Sequence, residues 1–182
     1  MLKNRLRANP WIVFLVAASS VAGAGYFVAH RPVTTIILVR HAEKHIEPNN
    51  PNPALTTAGQ ERAQTLLRMF GESGITAIYA TQYLRTQATS SPLASRLGIK
   101  VNQLDARNTE ELVRQIKSNH LGSVVFVAGH SNSVPPVISA LGGGSLPEIP
   151  EQEYDNIFIV TVQRFRPTRV MKLKYGNPSP RE

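Results

Sequence analysis

Residues 33–45 read VTTIILVRHAEKH. The first seven, Val33 to Val39, are apolar or β-branched almost throughout, with no polar alternation. Such a run fits a strand buried on both faces, as in a parallel sheet covered by helices. It stops on Arg40-His41. In open α/β sheets the ground beyond the carboxyl ends of the strands is where ligands bind, so this pair is the first place to look for chemistry.

Outward from that stretch, strand and helix patterns alternate. Glu47 to Pro53 is rich in Pro and Asn and reads as a loop. Thr57 with Gln60 is expected to form a capping box, followed by Ala63, Leu66, Leu67 and Phe70 at helical spacing and a stop at Gly71. Ile75 to Ala80 reads as a second strand, and Leu84 to Leu97 as a helix broken or kinked at Pro92, with Gly98 beyond it. A short extended piece surrounds Val101, and Thr109 to Asn119 reads as a helix. Ser123 to Ala128 is another fully buried strand. Val134, Val137, Ile138 and Leu141 give a last helix, closed by Gly142-Gly143-Gly144. Asn156 to Val162 and Val170 to Tyr175 read as a late pair of strands, a hairpin or edge pair. The expectation is an α/β three-layer sandwich around a mostly parallel sheet, preceded by one N-terminal hydrophobic helix.

Three strand ends share one chemistry. The first carries Arg40-His41, the second leads through Thr81-Gln82-Tyr83-Leu84 to Arg85, and the third ends in Gly129-His130-Ser131-Asn132. Two guanidinium groups and two imidazoles at one sheet edge suit an anionic tetrahedral ligand. Guanidinium forks pair with phosphoryl oxygens, and a neutral imidazole can act as a nucleophile.

These residues carry a resemblance. Leu38-Val39-Arg40-His41-Ala42-Glu43-Lys44 resembles the RHG/RHA signature of the histidine phosphatase superfamily, the phosphoglycerate-mutase-like fold. Leu55-Thr56-Thr57-Ala58-Gly59 through Ala63 resembles its L-T-x-x-G-x-x-x-A helix start. Leu84-Arg85-Thr86 with Thr89 resembles its R-[AT]-x-x-T segment, and Gly129-His130-Ser131 its second histidine motif. The four lie in family order between about Thr35 and Leu141. The resemblance implies that His41 accepts the phosphoryl group, that Arg40, Arg85 and His130 clamp it, and that no metal or other cofactor is needed.

Two positions depart from the pattern. Glu47 stands where many mutase-like members carry Asn, and Ser131 follows the second His where another branch carries a donor Asp. By resemblance Asp105, in the loop after the third strand, is the candidate proton donor, with Glu43 and Glu111 as fallbacks. Members resembling short phosphohistidine phosphatases carry no such acid.

The 182 residues are 42% apolar and 18% charged, which excludes a disordered chain and suits one globular domain after a leader. Net charge is +8, but Lys3, Arg5, Arg7 and Arg31 supply half of it. From Pro32 onward 16 bases face 12 acids, a scattered +4 with no nucleic-acid stripe. With no Cys, thiolate catalysis and disulfides are excluded. Trp11 to Ala29 is uncharged for nineteen residues, enough to span a bilayer core of roughly 30 Å. The bases ahead of it favour a membrane anchor with the domain facing away from the cytoplasm. A cleaved signal peptide ending near Ala22-Gly23-Ala24 is the rival reading, and it too exports the domain. The expected organisation is therefore residues 1–31 as basic segment with anchor or signal, and 32–182 as the phosphatase domain.

His41-Ala42-Glu43-Lys44-His45 has H-x-E-x-H spacing, which matches neither common zinc-protease order. His45 reads as a loop residue, and His30 and His120 as structural or exposed. Partners implied are a phosphorylated substrate and a membrane, with no nucleic acid. A phosphomutase, or a non-catalytic phospho-ligand-binding module at the membrane, would use the same residues.

Overall fold

The computed structural model describes residues 32–179. The expected anchor or signal at 1–31 lies outside the described residues. Among those described, no helix is long and apolar enough to cross a membrane.

Among the described residues, six strands and four helices follow one another, alternating until the final pair of strands. They are β1 (Val33–Arg40), α1 (Thr57–Phe70), β2 (Ile75–Thr81), α2 (Leu84–Leu97), β3 (Val101–Leu104), α3 (Thr109–Asn119), β4 (Val124–Gly129), α4 (Val134–Ala140), β5 (Asn156–Gln163) and β6 (Arg169–Lys174). The strands form one sheet in the order β3-β2-β4-β1-β5-β6. β3, β2, β4 and β1 run parallel, whereas β5 and β6 add on antiparallel beside β1. The sheet is thus mixed. The expected late pair is a hairpin at its edge, since the short turn after β5 can only return antiparallel.

Side chains alternate between two cores. Ile37, Val39, Ile78, Phe126 and Ala128 pack under α1 and α2 through Leu66, Leu93 and Ala94. Ile36, Leu38, Tyr79, Val125 and Val127 pack under α3 and α4 through Leu112, Ile116, Val134 and Ile138. Helices cover both faces, so the three layers follow from the continuous apolar runs in β1 and β4.

Register places the chemistry. Arg40 pairs with Gly129 across β1 and β4, so the next residues, His41 and His130, emerge side by side. Ala80 pairs with Ala128 on the other side of β4, which brings Thr81 and the start of α2 to the same edge.

Two local expectations shift. The cap of α1 is Thr56, not Thr57, and its side chain accepts from the amide of Gly59. The reciprocal half of a capping box is absent because that third position faces the loop after β1. A Cβ on Gly59 would come within 2.2 Å of the Glu43 carbonyl oxygen. Pro92, expected to break or kink its helix, lies inside α2, which is continuous from Leu84 to Leu97 and ends on Gly98 in a left-handed conformation.

Candidate active site

His41 leaves β1 into a loop that long-range bonds fix in place. Its backbone amide donates to Gly129, and the next amide, of Ala42, donates to the Thr89 hydroxyl at 2.9 Å. Glu43 takes a forked ion pair from Arg62 of α1, with Nε–Oε1 at 2.9 Å and Nη2–Oε1 at 2.7 Å. Arg62 also donates to the carbonyls of Tyr175 and Asn177, which joins the loop to the chain after β6.

The His41 ring is buried, with 3% of the residue exposed. Its Nδ1 lies 2.8 Å from the Ala42 carbonyl oxygen. A carbonyl only accepts, so Nδ1 carries the proton and Nε2 keeps its lone pair. Burial pushes the pKa down to about 3, against the pull of the Ala42 carbonyl, and Arg40, His130 and Arg85 lower it further by charge. The ring is therefore neutral near pH 7, the state a nitrogen nucleophile requires.

His130 lies beside it, the two ring centroids 5.3 Å apart. Its Nε2 is 2.9 Å from the Thr81 hydroxyl, which is 2.8 Å from the Thr86 hydroxyl. Thr86 has one proton and lies 2.8 Å from the Tyr83 carbonyl and 3.1 Å from that of Thr81, so it donates to a carbonyl. Thr81 then donates to Thr86 and accepts from His130 Nε2–H. This polarity leaves Nδ1 as the ring nitrogen for a ligand. Burial, then Arg85 and Arg40, depress this pKa to about 4, partly offset by Glu151. An anion at Nδ1 would favour the protonated ring and make it a donor.

The two arginines are held differently. Arg40 is 1% exposed. Its Nη1 donates to the carbonyls of Pro150 at 2.8 Å, Glu151 at 2.6 Å and Glu153 at 3.2 Å. Its Nη2 bonds the Glu151 carboxylate at 2.8 Å, and its guanidinium lies over the Tyr154 ring at 4.3 Å. Arg85, at the start of α2, stacks on Tyr83 at 4.3 Å. Its only hydrogen bond among the described residues is a long one, 3.5 Å from Nη1 to the Pro51 carbonyl. Among the described residues, the Nε of both arginines is buried with no hydrogen-bond partner. Two orphaned cationic N–H groups at one edge are costly unless an acceptor arrives.

A cleft of about 390 Å³ is lined by His41, Lys44, Tyr83, Arg85, Arg107, His130, Ser131 and Glu151 among others; the buried Arg40 is not in that lining but bonds Glu151, which is. The structure thus brings together His41, Arg40, Arg85 and His130. It does not bring Asp105 with them. Asp105 accepts from Nε of Arg107 at 3.1 Å and from Nη2 at 3.0 Å, and these hydrogen bonds hold its carboxyl at about 2. Its neighbours Ala106 and Arg107 line the cleft, whereas Asp105 itself is not among the lining residues. Glu43 is committed to Arg62, and Glu111 bonds Arg114 and Gln115 on the surface of α3. His45 is exposed, and His120 bonds the Tyr79 hydroxyl at 2.8 Å. Among the described residues no three His, Asp or Glu are grouped as metal ligands. The acid that does face the cleft, Glu151, is one that sequence reasoning missed. It sits in an aperiodic, Pro-containing loop, and only the fold brings it to Arg40.

Residues 36–107 match the model of the histidine phosphatase superfamily, branch 1. The resemblance read from the sequence is therefore shown, over a segment that contains Arg40, His41 and Arg85; His130 lies beyond it. Solved structures share the fold. A structure titled mycobacterial hydrolase 2 aligns with a TM-score of 0.63 at 11% identity, covering 84% of this chain and 94% of that one. The protein histidine phosphatase SixA complexed with tungstate aligns at 0.61 and 16% identity, over 77% and 96%. A mycobacterial glucosyl-3-phosphoglycerate phosphatase with inorganic phosphate aligns at 0.62 and 12% identity, over 79% and 97%. No curated protein sequence matches this chain.

Proposed function

We propose that this chain, whose residues 36–107 match the histidine phosphatase superfamily, is a phosphatase that hydrolyses a phosphomonoester or related phosphoryl group through a phosphohistidine on His41. One observation carries the reading. A neutral imidazole with Nε2 unprotonated stands beside two arginines whose buried Nε–H groups have no acceptor. A phosphoryl group supplies both needs, since its phosphorus takes the lone pair and its oxygens take the donors.

The chemistry then follows from the residues. Arg85 and the Nε–Nη2 edge of Arg40 hold the equatorial oxygens, and His130 adds a donor once the anion has raised its pKa. His41 Nε2 attacks in line, forming a P–N bond as the P–O bond to the leaving group breaks. Water then cleaves the P–N bond and returns His41 to its neutral state. Positioning and charge neutralisation supply the rate, as is general for phosphoryl transfer, and the arginines provide the positive charge. Rapid quench in alkali with a labelled substrate tests this. The label should stay on His41 in base and leave in acid; a wild-type protein that turns over without ever carrying label would refute the mechanism.

A phosphomutase would need the same groups, and a phospho-ligand-binding module would need only the arginines. The preset tautomer of His41 favours turnover over mere binding. We further propose that residues 1–31 anchor or export the domain, with 32–182 facing away from the cytoplasm. The bases ahead of the uncharged stretch from Trp11 to Ala29 support that orientation. A reporter active only outside the cytoplasm, fused after Glu182, should work; activity of a cytoplasm-only reporter there would reverse the topology.

A further inference from the structure

We propose that Glu151 is the proton donor to the leaving group, freed from Arg40 and protonated when the phosphoryl group takes its place on that arginine. The inference rests on the phosphatase reading above and adds the acid that the reading lacks.

Glu151 is the carboxylate among the residues lining the cleft. Its Oε2 accepts from Arg40 Nη2 at 2.8 Å, and its Oε1 accepts from the Ser131 hydroxyl at 2.9 Å. It therefore bridges the residue before His41 and the residue after His130. The backbone under it is fixed independently. Arg40 Nη1 holds the carbonyls of Pro150, Glu151 and Glu153, and the Ile149 amide donates to Ser131. The side chain itself is 71% exposed, unlike its arginine partner. A fixed backbone with an open carboxylate is what a group needs if it is to change partners.

The change of partner is built into Arg40. Nη1 is spent on backbone carbonyls, so the edge left for a ligand is Nε with Nη2. Nε has no partner, and Nη2 is occupied by Glu151 itself. An incoming phosphoryl oxygen competes with Oε2 for that edge. When it wins, the carboxylate keeps Ser131, loses its cation and faces a dianion. In the empty site burial pulls the Glu151 carboxyl upward, but Ser131 and Arg40 outweigh it and hold it below the usual range. Removing Arg40 and adding a nearby dianion both reverse that balance.

The proton then has a defined route. The phosphomonoester binds with one proton shared between it and Glu151, either brought by the monoanion or taken from solvent. As Nε2 of His41 bonds to phosphorus, the ester P–O bond breaks, and the proton on Glu151 passes to the leaving alkoxide oxygen. The alcohol departs and Glu151 is a carboxylate again. In the second half it accepts a proton from the water that attacks phosphorus, and the P–N bond breaks to release phosphate. No oxidant, metal or co-reactant enters.

The test is a leaving-group series on full-length protein with Glu151→Gln. An alkyl phosphate should slow by about 10²–10⁴-fold in kcat, the usual contribution of general acid catalysis. Nitrophenyl phosphate, whose phenolate leaves without help, should change by no more than a few-fold. Glu151→Asp should recover part of the alkyl rate, because the acid is restored on a shorter arm. Equal losses on the two substrates would mean that Glu151 only positions Arg40 or Ser131, and no loss on either would mean that it takes no part; both overturn the proposal. Failure of the wild-type protein to turn over either substrate would instead strike the phosphatase reading itself.

Discussion

The loops after β1 and after β3 leave the same edge of the same sheet, each carrying an ionisable group that resemblance marks as catalytic. Their surroundings differ. His41 is 3% exposed, and its loop is bonded to Thr89, Arg62 and Gly129, all remote in sequence. The Asp105 side chain is 42% exposed and, among the described residues, bonds only to Arg107, two residues away. A strand end alone does not make a site. What distinguishes the β1 loop is that distant parts of the chain over-determine its geometry, so that the His41 tautomer and the unpartnered Nε–H of Arg40 beside it can be held in place against their cost.

Replacing His41 with Ala attacks the held loop most directly. Turnover should fall by roughly 10³-fold or more, as is common when a covalent nucleophile is lost. The fold should survive, because the backbone bonds of the loop do not use the imidazole. Near-wild-type kcat, with native circular dichroism, would remove the loop's claim to the chemistry.

The two arginines sharpen the contrast within the site. Arg85→Ala should weaken vanadate or phosphate binding by about 2–5 kcal/mol, the cost of truncating one partner of a desolvated charge pair, with little change in thermal stability. Arg40→Ala should lose binding similarly and also lower the melting temperature, since three carbonyls of residues 150–153 lose their donor. Titration calorimetry beside thermal melts separates the two. EDTA should change neither binding nor turnover, because no metal is invoked.

Acid offers a milder probe. His41 and His130 have folded pKa values of about 3 and about 4, well below the ordinary 6.5. Between those limits the unfolded chain binds more protons than the folded one, so stability is complete above about pH 6.5 and declines as pH falls toward 3. Denaturant melts across that window should show the decline, and His41→Ala should flatten it. A stability that rises on acidification would contradict the burial of both rings.

Much of this was legible in the residues because it is written locally. The β-branched runs of β1 and β4, the apolar spacing of α1 and α3, and the polar strand ends all appear within short windows. The misses are tertiary. Thr56 caps α1 in place of Thr57, and its own amide is held by the Glu43 carbonyl thirteen residues back. Arg62 is needed beneath the nucleophile loop, and neither it nor Glu43 shows that pairing in sequence. Glu151 lies 111 residues from Arg40, so no spacing rule joins them.

The smallest effect expected is at the loop after β3. Asp105→Asn removes a carboxylate that is already ionised at every working pH, being held at about 2 by the side-chain and backbone hydrogen bonds of Arg107. A donor must hold its proton until the transition state, and this group has none to give. Its salt bridge is exposed, so little stability rests on it. Alkyl and nitrophenyl phosphates should therefore both react within about two-fold of wild type, as expected of an exposed substitution that takes no part in the chemistry. The comparison breaks if Asp105→Asn slows the alkyl ester selectively. In that event substrate binding must draw Asp105 off Arg107 and into the cleft, and the β3 loop, not the segment that carries Glu151, delivers the proton.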